Sequence, residues 1–191
     1  MRISMFIASS ICVLTLAVSP ASAIKDPETS VVFPDTSTCD GAPAVAAGVG
    51  VREATFGIDV YAVVLYANAK AKGSSLRATD ECVKIRMRFV RDVGAGKIKK
   101  AWVKGFKKNG LAKSDATVQK LLSITDREIK KHKEMILEIH GAKVVYTYMG
   151  KSVTISGAAK LGKAIRKIYL GSGSPTPELI KSVKKRGVAK P

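Results

Sequence analysis

From residue 49 onward the chain alternates between apolar and polar positions in two clear periods. Residues 49–56 and 58–67 read as two adjacent strands that meet at Gly57. A polar connection over 68–81 follows. Val83, Ile85, Met87 and Phe89 then alternate strictly with Lys84, Arg86 and Arg88, the signature of a strand with one wet face. The period changes after Gly94. Ile98, Ala101, Trp102, Gly105 and Phe106 recur at helical spacing, and Asn109-Gly110 supplies residues that tolerate the left-handed turn ending a helix. A second helix is expected from Ser114 as N-cap, with Val118, Leu121, Leu122 and Thr125 facing inward. Strands at 135–140, 144–149 and 152–156 come next, joined by turns at Gly141-Ala142 and Gly150-Lys151. A last amphipathic helix carries Leu161, Ala164, Ile165, Ile168 and Tyr169 and stops at Gly171. Strands, helices, an antiparallel meander and a further helix predict an α+β fold, with helices packed on one face of a curved antiparallel sheet.

The ends of the chain modify this picture. Arg2, the apolar run 6–18 and Ala21-Ser22-Ala23 have the form of a cleavable secretory signal over residues 1–23; the apolar run is too short to span a bilayer. An exported protein, periplasmic or secreted, is therefore expected. Residues 24–47 show little periodicity and read as an extended lead-in, 48–185 as one domain and 186–191 as a basic tail. With Cys12 removed in the signal, Cys39 and Cys82 form an even pair in an oxidising compartment. A bridge between them would close a loop of about 43 residues, worth roughly 3–4 kcal/mol.

The net charge of +18 comes chiefly from lysine. Lys97, Lys99, Lys100, Lys104, Lys107 and Lys108 fall largely on one helix and read first as its solvated face. No aromatic-rich basic groove suggests nucleic acid, so anionic envelope lipid or a small acidic ligand is the better partner for such a field. No Ser-His-Asp set, glycine-rich phosphate loop or metal-ligand spacing is present, so no cofactor or metal is implied. His132 and His140 stand apart, and Arg91-Asp92 reads as a local ion pair at a turn.

The arginine in the first strand is out of place in a run that otherwise builds a sheet. GVREATF followed by VYAVVLYA, KIRMRFVRDV, IKKAWVKGFKKNG, GKSVTISG and KAIRKIYLG, in that order, resembles the chalcone isomerase-like family, and most of all its small exported bacterial members. The resemblance implies an open-faced β-sandwich: a long curved sheet, helices on one side and a cleft between. In the plant enzymes of the family an arginine matching Arg52 stabilises the negative charge that develops as a chalcone closes its ring. A fixed guanidinium in a dry pocket suits that task. The enzymes' other polar pocket groups fall at Tyr61, Gly94, Ala101 and Gly162, which leaves Arg52 as the one catalytic candidate.

The family also contains fatty-acid-binding proteins, in which an arginine and a tyrosine on these two strands hold the ligand carboxylate. Arg52 and Tyr61 match that pair. Val51, Phe56, Val63, Ile85, Met87, Trp102 and Phe106 are the apolar residues expected to line the cleft. The resemblance therefore implies a non-catalytic monomer that binds a small amphipathic carboxylate such as a fatty acid. An isomerase, or intramolecular lyase, using Arg52 is one alternative, with Tyr66, Tyr146 or Tyr148 as a further polar group. An envelope protein docking on anionic lipid is the other. The plainer account of Arg52 is an arginine satisfied by backbone carbonyls or by an acidic neighbour, Glu53 or Asp59.

Overall fold

The computed structural model describes residues 23–71, 75–77 and 81–185. The expected signal at 1–23 lies outside these apart from Ala23, and so does the tail at 186–191. A small hairpin opens the described chain, β1 (Ala23–Lys25) against β2 (Val32–Pro34). Seven further strands form one antiparallel sheet: β3 (Thr36–Cys39), β4 (Ala42–Ala54), β5 (Ile58–Ala67), β6 (Val83–Phe89), β7 (Glu134–His140), β8 (Lys143–Tyr148) and β9 (Lys151–Ile155). They lie in chain order, each beside its sequence neighbour. Among the described residues four α-helices complete the fold: α1 (Ala95–Lys108), α2 (Ala116–Ser123), α3 (Ala159–Leu170) and α4 (Pro177–Lys185). Among the described residues no helix is long and apolar enough to cross a membrane.

The sheet is curled, and all four helices contribute side chains to the core on one of its faces. Tyr61, Val63 and Leu65 of β5 point to that side; Ala62, Val64 and Tyr66, alternating with them, point away. The outward face is covered near β5 by Phe33 of the hairpin. Further along it carries ion pairs, with Arg86 and Arg88 of β6 both held by Glu134 of β7 and Lys84 held by Glu138 at 3.0 Å. The expected wet face of 83–89 is this ladder.

Three boundaries differ from the sequence reading. Part of the presumed lead-in is sheet: β3 and the first half of β4 fall within 36–47, where Ala- and Thr-rich sequence hides the alternation. The second helix is capped one residue later than expected. Asp115, not Ser114, accepts the backbone N–H groups of Thr117 and Val118. Cys39 and Cys82 are joined in a disulfide that ties the end of β3 to the start of β6. Met149 and Gly150, both with positive φ, form the two-residue turn between β8 and β9, one position before the expected one.

Candidate functional site

The register of β4 on β5 decides what Arg52 can reach. Gly48 stands opposite Leu65, Gly50 opposite Val63 and Arg52 opposite Tyr61, so all three β4 residues share the helix-covered face. The two glycines are spaces for α4. A Cβ at Gly50 would come 2.4 Å from the backbone nitrogen of Leu179, and one at Gly48 would come 2.6 Å from Cγ2 of Val183. The helix therefore lies directly on the strand, and Arg52 is the first side chain beyond it.

Arg52 and Tyr61 open onto a cleft of about 1530 Å³. Its floor is Tyr61, Phe89 and Met135 of the sheet, and its walls are α1 and α3. That volume exceeds the roughly 300–1,000 Å³ of ordinary small-molecule sites, as an open trough would. On the α1 side the wall is Ile98, Ala101, Trp102 and Gly105. Trp102 is only 4% exposed, stacks on Phe106 at 5.2 Å, and its indole N–H has no hydrogen-bond partner.

The charge in the cleft is one-sided. Nine of its lining residues are cationic: Arg52, Arg77, Arg91, Lys97, Lys104, Lys108, Lys163, Arg166 and Lys167. Among the described lining residues Asp92 is the single carboxylate, and it is already engaged. It accepts the Lys131 backbone N–H at 2.7 Å and pairs with Lys130 at 2.9 Å, contacts that hold its pKa below the ordinary value. Arg166 is buried and donates to the carbonyls of Leu76, Glu81 and Ile139, so its guanidinium fastens the connection before β6 to the core. Among the described residues no hydrogen bond or ion pair engages Arg52. Glu53 and Asp59 do not reach it; a register shift after Arg52 turns them away, to cluster with Glu28 of the β1–β2 turn.

A second phenol joins the first. Tyr169 of α3 reaches the floor beside Tyr61 and places its hydroxyl 3.1 Å from the Met87 sulfur. Burial is the main cause that raises both ionisations, well above the ordinary value for Tyr169; contact with Tyr169 and the Arg52 charge pull Tyr61 partly back. Both phenols are therefore neutral O–H groups at physiological pH. A guanidinium with no carboxylate partner among the described residues, beside two neutral hydroxyls, is suited to an incoming anion.

The sequence matches the chalcone isomerase-like family over residues 28–182. The chain belongs to that family. No curated protein matches it in sequence. Among solved structures it resembles a fatty-acid binding protein of Arabidopsis thaliana, with a TM-score of 0.69 at 18% identity, covering 87% of this chain and 97% of that one. At that identity the likeness establishes the chalcone isomerase-like fold.

Within this fold the structure places the expected site residues unevenly. Arg52, Tyr61 and Trp102 line the cleft. Ile85, Met87 and Phe106 do not; they are fully buried in the core beneath it, because α1 and α3 close over them. Val63 is core as well, and Val51, opposite Ala62, faces the other side of the sheet. Phe56 is the clearest correction. It sits at the β4–β5 turn with φ +66° and is 94% exposed, so it cannot line an apolar cleft.

The three further tyrosines are also committed elsewhere. Tyr66 donates to the Pro34 carbonyl on the far face, Tyr148 to the Arg127 carbonyl, and Tyr146 lies by Thr125 and the Met135 sulfur. Asp92 pairs with Lys130, not with Arg91. Three of the α1 lysines, at 97, 104 and 108, are not a plain solvated face but the rim of the cleft. Tyr169 was hidden in the sequence as one more apolar position of α3; a polar-tipped aromatic on the inner stripe of a helix was its only signal.

Proposed function

We propose that the protein is an exported, monomeric binding protein for an amphipathic carboxylate of the fatty-acid type, with the head group on Arg52 and Tyr61. The observation that carries this reading is Arg52 itself, a cation on the wall of a large cleft without a carboxylate partner among the described residues. A half-buried charge without a partner is costly, and a ligand carboxylate would satisfy it with two parallel N–H donors. Tyr61, kept neutral by burial, would add an O–H donor. Trp102, Ile98 and Met135 would receive the chain. The fold is shared with a plant fatty-acid binding protein, which supports the same ligand class.

A ring-closing isomerase is the weaker reading. Tyr169 brings a hydroxyl near Arg52, but the wall positions Ala101 and Gly162 bring no polar side chain to hold a water or a ketone. Incubation with a chalcone is expected to show no turnover above the solution rate.

The sole tryptophan of the chain lines the cleft, so its fluorescence reports occupancy directly. Titration with dodecanoate should quench or shift Trp102 emission, and Arg52→Ala should weaken binding about 10- to 100-fold, the value of a charge-assisted hydrogen bond pair. Equal affinity in the two proteins, both folded, would remove the head-group assignment. No binding to either would remove the carboxylate reading.

A further inference from the structure

We infer that the mouth of the cleft docks on an anionic lipid bilayer, with Phe56 inserted among the headgroups. Of the large hydrophobic side chains among the described residues, Phe56 is the most exposed at 94%, and Ile58 beside it is 44% exposed. The turn that carries them holds Phe56 and Gly57 at positive φ, a conformation that a bulky residue adopts only at a cost. Nothing in the core repays that cost. Ala54 and Ile58, which flank the turn, both line the cleft, so Phe56 stands on its rim.

The same rim carries seven exposed cations: Arg77, Arg91, Lys97, Lys104, Lys108, Lys163 and Lys167. Five are lysines, point charges on flexible stems, spread over α1 and α3. That arrangement suits a diffuse layer of lipid phosphate better than the fixed carboxylates of a protein partner. The acidic residues flanking the turn, Glu53 and Asp59, alternate with the cleft-lining Ala54 and Ile58 and cluster with Glu28, off the cleft lining. Basic rim and protruding aromatic together set one orientation, with the cleft opening onto the lipid. That a ligand passes from bilayer to Arg52 rests on the carboxylate reading; the docking itself does not.

The test is sedimentation with vesicles of phosphatidylcholine alone and of phosphatidylcholine with phosphatidylglycerol. Binding is expected to the anionic vesicles only, and to fall steeply at about 0.5 M salt, where screening is nearly complete over a few ångströms. Lys104→Glu with Lys108→Glu should weaken binding at least tenfold, at about 1 kcal/mol per basic residue near the surface. Phe56→Ser should weaken it about tenfold by removing a buried phenyl group. Lys100→Glu, on α1 but off the rim, should cost little. Dodecanoate titration of Phe56→Ser in solution should match wild type, and Arg52→Ala should still sediment, which separates failure of docking from failure of the ligand reading. The proposal is overturned by absent anionic-vesicle binding, by Lys100→Glu costing as much as a rim reversal, or by Phe56→Ser converting a dimer to a monomer instead.

Discussion

Arg52 and Tyr61 stand directly opposite each other on β4 and β5, with both side chains on the helix-covered face of the sheet. The pairing brings a cation without a salt-bridge partner among the described residues beside a phenol that burial keeps protonated. Tyr61 packs on Phe89 at 5.3 Å through its ring, and its hydroxyl meets that of Tyr169. Tyr61→Phe should therefore cost only about 0.5–1.5 kcal/mol of stability through the lost Tyr169 contact, and weaken dodecanoate binding about five- to tenfold, the worth of roughly one hydrogen bond. A calorimetric titration beside a thermal melt separates the two effects. A large drop in melting temperature with no change in affinity would make Tyr61 a packing residue.

The buried phenols also set an alkaline limit. In the folded chain burial pushes Tyr148 up to about 12, and Tyr61 and Tyr169 are likewise raised. Their folded values lie above the unfolded value of about 10, so their contribution is fully present below that pH. It is lost as pH rises through the folded values, because the unfolded chain ionises first. Stability should be level from about pH 7 to 9 and fall above about pH 10. Tyrosinate absorbance should then rise together with the loss of circular dichroism. Tyrosinate appearing at pH 10 in a chain still fully folded would show that these phenols are accessible to water.

The contact of α4 with β4 depends on a missing side chain. Gly50→Ala puts a methyl group 2.4 Å from the Leu179 nitrogen, where backbone and not a flexible tip must move. A loss of about 1–3 kcal/mol in urea unfolding is expected. Gly96→Ala, with open space around it in the first turn of α1, should cost nothing. Equal stability of Gly50→Ala and wild type would mean that α4 is not held against the strand.

Reduction of Cys39–Cys82, or the double serine variant, should lower stability by roughly 3–4 kcal/mol through the loop it releases. Because the bridge ties β3 to β6 on the side away from the cleft, dodecanoate affinity at a temperature where the variant is folded should be unchanged. Affinity lost together with stability would couple that edge of the sheet to the site.

Much of this fold is written in local patterns. The strict alternation at 83–89 requires a strand with one wet face, whichever partners it finds, and the 98–102–106 spacing requires a helix with one apolar stripe. Asn109-Gly110 and Gly141-Ala142 end or turn their elements by backbone chemistry that needs no neighbours. The order of these elements carried the α+β class, and the alignment of Arg52 and Tyr61 with a known pattern carried both candidate site residues.

What each side chain meets was decided elsewhere. Phe56 is apolar and belongs to a strand pattern, yet it projects into water because the turn between β4 and β5 falls on it. Lys97, Lys104 and Lys108 look like any solvated helix face until α3 is laid beside α1 and their stripe becomes a cleft rim. Two register shifts in β4, at Ala46/Gly48 and Arg52/Glu53, reset which residues share a face, and no single-strand period can announce them. Tyr169 lies 108 positions from Tyr61 and meets it only because α3 folds back over the sheet. Periodicity is a property of neighbours along the chain, so the sequence by itself determined most elements from residue 49 onward, while the family resemblance pointed to the two cleft residues. A cleft is a property of surfaces brought together from distant segments, so its shape, its charge and its second phenol were decided only by the tertiary structure.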